Sequence, residues 1–333
     1  MAAVPAGTWN VVGHEGAVRF LQRSLERGKL SHAYLFVGPP QAGKRTLAVE
    51  LARAINCEGT PKPCGTCRPC QLIARDRHPD VVTVRGEGVK GAILVDQVRE
   101  LRREASLAPV EGRRRVYILC GLELANENAA NALLKTLEEP PAHVTFLLTT
   151  TSEELLTPTI VSRCQVLFLG TLPREAIQQA LEQRWALPAE RASLLAGLSG
   201  GRIGRALALH QSEQLLARRR EALDQLQVLL AANWGRRFAL AAEMARRVDQ
   251  IPSTLEIWLS WWRDLLFLQE GLSDRVANLD RQDELVARRG AFGPADARRA
   301  LVALQACAHH LRSNVSARLA LERLMLHLPL AGG

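Results

Sequence analysis

Nothing constrains the fold of this chain more than the stretch Gly38-Pro-Pro-Gln-Ala-Gly43-Lys44-Arg45-Thr46. The apolar run Ala33-Tyr-Leu-Phe-Val37 leads into it, and a helical pattern over Leu47–Ile55 leads out. A glycine-bearing loop between a strand and a helix is the layout of a phosphate loop. Its backbone N–H groups curl around phosphate at a helix N-terminus, and a lysine reaches the terminal oxygens. Gly38, Gly43, Lys44 and Thr46 are therefore the candidate phosphate-binding residues. After the lysine such a loop needs a hydroxyl to ligate Mg²⁺, and Arg45 stands there instead. The loop reads as a phosphate scaffold with a missing metal ligand.

The rest of the first half fits that start. Strand-like runs at Ala33–Val37, Val81–Val84, Arg115–Leu119, Val144–Leu148 and Gln165–Phe168 alternate with helical patterns around Ala17–Arg27, Leu47–Ile55, Val95–Ala105 and Asn126–Glu138. Such alternation predicts an α/β core, a mostly parallel sheet with helices on both faces. After Gly170 the strands stop. Short helices are expected over Leu172–Trp185, Ala189–Leu198 and Arg202–His210, and a nearly all-helical pattern follows, broken near Asn233, Pro252, Gly271 and Gly293-Pro294. Three bodies are expected: an α/β core over 1–170, a small helical lid over 171–210, and a C-terminal helical domain over 211–333.

The net charge of +9 invites a nucleic-acid reading. However, residues 1–170 hold 21 basic against 17 acidic side chains and residues 171–333 hold 22 against 17, so the excess is even rather than gathered in a stripe. Non-specific contact with DNA phosphates within an assembly fits this better than a sequence-reading surface. No uncharged apolar run approaches the roughly 20 residues of a membrane span. The N-terminus lacks the basic start and apolar core of a signal peptide, so a cytoplasmic location is expected.

Cys57, Cys64, Cys67 and Cys70 place four thiols within 14 residues, among glycines and prolines that suit tight loops. The spacing fits a structural Zn²⁺ with four thiolates and no open coordination position; free cysteines in a loop are the alternative. Cys120, Cys164 and Cys307 are isolated and read as small apolar residues.

A working phosphate-loop ATPase also needs acidic residues at the end of a second strand, to hold Mg²⁺ and orient water. The candidate strand Arg115–Leu119 is followed by Cys120-Gly121-Leu122-Glu123. Cys-Gly stands where Asp-Glu is needed, and Glu123 lies too far along to substitute, at the expected start of the next helix.

Further on come Asn131-Ala-Leu-Leu-Lys-Thr-Leu-Glu-Glu-Pro-Pro141, the strand from Val144 with Thr149-Thr-Thr151, and Ser162-Arg163-Cys164. Together with His32-Ala-Tyr-Leu-Phe before the loop and the four-cysteine insert, these segments resemble the clamp-loader branch of the AAA+ ATPases. The resemblance covers roughly residues 10–210 closely and the helical remainder loosely. It implies an AAA+ core, a lid, a C-terminal collar that holds a hetero-oligomer together, and ATP or ADP as the nucleotide. It implies as partners the gamma/tau and delta subunits of DNA polymerase III, the sliding clamp and primed DNA.

In that family the Ser-Arg-Cys arginine, here Arg163, is a finger inserted in trans into the neighbouring subunit's ATP site. Thr150 falls near the position that resembles the first sensor. Aligned on Ala206-Leu207, the position of the family's lid arginine is Gly204, flanked by Arg202 and Arg205. Loss of the loop hydroxyl, the Asp-Glu pair and the lid arginine, with Arg163 kept, is the pattern of a catalytically silent family member. An active gamma/tau-like ATPase with divergent metal ligands, and a zinc-stabilised DNA-binding protein, are the alternatives.

Overall fold

The computed structural model describes residues 9–88, 91–313 and 315–330. Its strands are β1 (Ala33–Val37), β2 (Val81–Val84), β3 (Arg115–Leu119), β4 (Val144–Thr150) and β5 (Gln165–Phe168). They form one parallel sheet in the order β2-β3-β4-β1-β5. Around it come α1 (Glu15–Glu26), α2 (Lys44–Asn56), α3 (Arg68–Ala74), α4 (Val95–Ala105), α5 (Glu127–Glu138), α6 (Pro158–Val161) and α7 (Arg174–Trp185).

The strand side chains explain the layering, because successive residues point to opposite faces. Ala33, Leu35 and Val37 join Tyr117, Leu119, Phe146 and Leu148 in a core with Val98 and Leu101 of α4 and Leu133 and Leu137 of α5. Their neighbours Tyr34, Phe36, Val116, Ile118 and Leu147 join Leu21 of α1, Leu47 and Leu51 of α2 and Ile73 of α3. A sheet apolar on both faces must be covered on both, and it is. The expected α/β core is thereby confirmed.

The differences from expectation are local. β4 runs on to Thr150 because Thr149 and Thr150 pair with Phe36 and Val37 of β1. α3 arises inside the cysteine insert, where Pro69 falls in the first helical turn and suits it. Glu123 lies in a short 3₁₀ turn, Leu122–Leu124, and the next α-helix begins only at Glu127, capped by the Asn126 side chain on the Ala129 amide.

The chain divides into two compact units: residues up to Pro188 with Gly201–Arg205, and Ala189–Gly200 with Ala206 onward. The helices expected over 171–210 are present as α7, α8 (Ala189–Leu198) and α9 (Ile203–Gln211). α7 falls in the first unit and α8 in the second; α9 begins in one and continues in the other.

The second unit continues with α10 (Glu213–Ala231), α11 (Trp234–Met244), α12 (Ile251–Gln269), α13 (Gln282–Arg288), α14 (Pro294–Arg312) and α15 (Ala317–His327). The expected break near Pro252 falls between α11 and α12, and Pro252 sits in the first turn of α12. Its core is built on Trp258, Trp261 and Trp262, all fully buried, with Trp262 edge-on to Phe292 at 5.2 Å. Buried Arg237 closes the C-terminal end of α15 by donating to the carbonyl oxygens of Met325, Leu328 and Pro329 at 2.6–3.0 Å. Helix ends leave carbonyls unpaired, and the guanidinium satisfies that of Met325 in the last turn together with those of Leu328 and Pro329 just beyond it.

Candidate functional site

The phosphate loop leaves β1 at its carboxyl end, where ligands bind in open parallel sheets. At Gly38 a Cβ would meet the Leu169 carbonyl oxygen at 2.0 Å, so only glycine admits the segment that leaves β5 this close. Gly43 caps α2, and Lys44 is its first residue. Lys44 Nζ donates to the carbonyl oxygens of Gly38 and, at 2.8 Å, Pro39. Burial pushes its pKa down, while the Glu123 carboxylate pulls it back up.

Glu123 is the residue that sequence spacing undervalued. Its Oε1 accepts from the Thr151 amide at 3.2 Å, and its buried Oε2 has no protein partner. The turn after β3 brings it within electrostatic reach of Lys44. No periodic signal marks such a carboxylate; only the Leu122–Leu124 turn reveals it.

Arg45 is turned away from the loop. Its Nη2 pairs with Asp76 at 3.2 Å, and Asp76 also accepts from the Thr83 hydroxyl at 2.7 Å and faces Arg85 at 3.7 Å. Burial raises the Cys120 thiol pKa, and the nearby Arg45 guanidinium lowers it. Thus Arg45 and Cys120, which replace a hydroxyl and a carboxylate, sit beside each other. Thr46 is exposed on the first turn of α2.

Gly204 lies directly on the loop: its amide donates to the Gln41 carbonyl at 2.9 Å, and a Cβ there would meet that oxygen at 2.7 Å. His14 Nε2 contacts the Ala42 carbonyl at 3.0 Å. The loop carbonyls are thus held by Lys44, Gly204 and His14. Thr150 spends its hydroxyl on the Ser152 carbonyl, while Thr149 accepts from the Gly121 amide and ties β4 to the turn after β3.

Arg163 lies elsewhere, between α6 and β5. Parallel pairing sets Tyr34 beside Gln165 and Val37 beside Phe168. Arg163 therefore lies at the amino ends of the strands and the phosphate loop at their carboxyl ends, about 10 Å or more apart at ~3.3 Å per residue. Its Nη2 pairs with Glu138 at 2.7 Å and its Nη1 donates to the Thr159 carbonyl at 2.9 Å.

The four cysteines converge. The Sγ atoms of Cys57, Cys64, Cys67 and Cys70 all lie within 4.8 Å of one another, and those of Cys57 and Cys67 are 3.9 Å apart. Tetrahedral Zn²⁺ with Zn–S of ~2.3 Å requires S···S edges of ~3.8 Å, so the donor set fits a metal such as zinc. The Cys67 amide, donating to Cys64 Sγ at 3.3 Å, and the Thr66 hydroxyl draw the Cys64 thiol down to about 5. Arg53, paired with buried Glu50, lies beside Cys70 and brings positive charge to a thiolate-rich cluster. Behind the cluster, Asn56 Oδ1 accepts from the amides of Arg113 and Arg114. The isolated cysteines are held as thiols, burial pushing Cys307 up to about 11 and Cys164 up to about 12.

No helix among the described residues is long and apolar enough to cross a membrane.

A parallel sheet carrying a phosphate loop on β1, with a glycine-pinned segment over that loop, defines the class: an α/β phosphate-loop protein. Residues 13–173 match the family described as DNA polymerase III, delta subunit. The delta' subunit of DNA polymerase III from Bacillus subtilis is 29% identical over 315 residues, covering 93% of this chain and 94% of that protein. The tau subunit of Escherichia coli is 33% identical over 293 residues, 80% of this chain and 43% of that protein. That of Salmonella typhimurium is 40% identical over 175 residues, 52% of this chain and 27% of that protein. The chain thus spans less than half the length of these tau subunits. A gamma subunit-related protein from Thermotoga maritima aligns over 93% of this chain and 97% of its own, with a TM-score of 0.45 and 19% identity, too slight a likeness to bear on the assignment. The end-to-end match makes this chain a homologue of the DNA polymerase III delta-prime subunit.

Proposed function

We propose that this chain acts as the catalytically silent delta-prime subunit of a DNA polymerase III clamp loader in the cytoplasm. It donates Arg163 to ATP held by a neighbouring gamma/tau subunit while the sliding clamp is placed on primed DNA. The observation that carries this reading is the separation of Arg163 from the chain's own phosphate loop, at opposite ends of one sheet. An arginine so placed cannot serve its own nucleotide, but it is available to another subunit.

In this reading the fork of Arg163 neutralises charge developing on the neighbour's γ-phosphate. Hydrolysis at the chain's own loop is not expected. Arg45 is committed to Asp76, the turn after β3 lacks the Asp-Glu pair, and a lid arginine at Gly204 has no room. Gly38, Gly43, Lys44 and Thr46 remain as an inherited phosphate cradle. Residues 171–210 would serve as lid, and 211–333 as the collar that meets gamma/tau and delta. A Zn²⁺ held by Cys57, Cys64, Cys67 and Cys70 would be structural, clipping the insert against α2.

The test is reconstitution with gamma/tau, delta and clamp. Arg163→Ala should leave the complex assembled yet depress ATPase stimulated by primed DNA, with turnover at the adjacent site falling by on the order of 10³. Unchanged ATPase and clamp loading would remove the reading. One observation favours the alternative of an active ATPase: Glu123 attracts Lys44 and has a free oxygen. That alternative requires Mg²⁺-dependent turnover by the isolated chain, lost on Lys44→Ala.

A further inference from the structure

The terminal nitrogens of Arg163 are both occupied within this chain. Nη2 pairs with Glu138 Oε1 at 2.7 Å, and Nη1 donates to the Thr159 carbonyl at 2.9 Å. Glu138 is the last residue of α5, before Glu139-Pro140-Pro141, and Thr159 lies in α6. The fork that would straddle a phosphate is thus folded back onto its own subunit. The side chains of Arg163 and Glu138 are 33% and 48% exposed, so water reaches the pair and a stronger anion can displace it.

We infer that Glu138 is a parking residue for Arg163: it holds the guanidinium on the subunit's own surface until a neighbour presents a polyanionic phosphate. The inference rests on the finger role proposed above. A half-exposed ion pair is worth little, which is the property such a latch needs. It fixes one rotamer of a long side chain, yet it is outcompeted by a triphosphate carrying several negative charges. It also sets a threshold, because engagement of the neighbour must exceed the energy of the parked pair. Thr159, through its backbone carbonyl, sets the direction of the parked fork and is unaffected by side-chain substitution.

The experiment uses the reconstituted loader with ATP as the probe and compares native chain, Glu138→Gln and Arg163→Ala. If Arg163 is parked, Glu138→Gln lowers the KM for ATP, or the amount of this subunit giving half-maximal stimulation, by about two- to five-fold. The kcat stays the same, and the gain shrinks as salt rises, since salt screens the native pair. In the isolated chain, phenylglyoxal should modify Arg163 faster in Glu138→Gln than in native protein, as read by peptide mass spectrometry. Equal modification rates together with unchanged KM would overturn the inference. So would a fall in kcat, which would mean that Glu138 holds Arg163 in its active orientation. The failures separate cleanly: if Arg163→Ala is also silent, the finger reading has failed; if Arg163→Ala is defective and Glu138→Gln is not changed, only the parking role has.

Discussion

Arg45 Nη2 lies 3.2 Å from Asp76 Oδ2, so the residue that replaced the loop's hydroxyl is held outward by a carboxylate 31 positions on. Asp76 is itself anchored by the Thr83 hydroxyl at the sheet's edge strand β2. Arg45 is thereby built into the surface rather than left as a loose defect. The partners are 46% and 42% exposed, which limits what their pairing contributes.

Arg45→Thr should therefore change stability by no more than about 0.5–1 kcal/mol, measured by urea denaturation. The same variant should show no Mg²⁺-dependent ATP hydrolysis, because Cys120-Gly121 still offers no carboxylate for metal or water. Turnover restored by this one substitution would mean that Glu123 supplies the missing acid.

Gly204→Ala tests the contact over the loop. A Cβ there would meet the Gln41 carbonyl oxygen at 2.7 Å and the Gln41 Cα at 3.2 Å. Backbone cannot swing aside as a side chain can. A destabilisation of about 1–3 kcal/mol is expected in chemical denaturation. A neutral result would show that the segment Gly201–Arg205 shifts freely.

Asp80 gives the first unit a pH dependence with a definite sign. Its carboxylate is buried and accepts the amides of Val110, Glu111 and Gly112 at 2.7–2.9 Å, with Arg115 at 3.7 Å. Burial raises its pKa, but the three N–H donors and Arg115 together outweigh this and leave it below the ordinary 3.8. A depressed folded pKa means the stabilisation is complete above about pH 5 and is lost as pH falls through 4 toward the folded value. Asp80→Ala should cost about 3 kcal/mol or more at pH 7, by orphaning three amides. It should also flatten the melting-temperature profile between about pH 3 and 5, the window set by the ordinary carboxylate pKa. An unchanged acid limb would contradict this.

The cysteine cluster predicts close to one equivalent of zinc per chain by elemental analysis, absent in Cys64→Ser. Chelation should lower the melting temperature of the native protein and leave that of the variant unmoved, since metal binding adds to folding free energy only where the ligands persist. Metal-free protein of equal stability would return the four cysteines to the status of free thiols.

Much of the fold was readable from the chain. Strands β1, β2, β3 and β5 lie where their runs of β-branched and aromatic residues predict them, β1 and β3 fully buried and β5 partly exposed at the edge of the sheet. α4 and α8 match their periodic patterns to the residue. Short helices escaped: α3 hides among cysteines and prolines, and α6 is four residues long, too brief for any periodicity.

The candidate site divides in the same way. The phosphate loop and the cysteine cluster are local, their residues lying within nine and 14 positions, so spacing alone specified which groups could converge. Arg163 was singled out by the company of Ser162 and Cys164. Tertiary structure alone decided the rest: the strand order β2-β3-β4-β1-β5, Glu123 brought toward Lys44, Gly204 laid against Gln41, and Arg163 turned onto Glu138. These contacts join residues 25 to more than 160 positions apart. Hydrophobic burial drives the layers together without regard to which polar groups then meet at their rims. Periodicity therefore encodes the layers, and only the packed sheet decides the meetings.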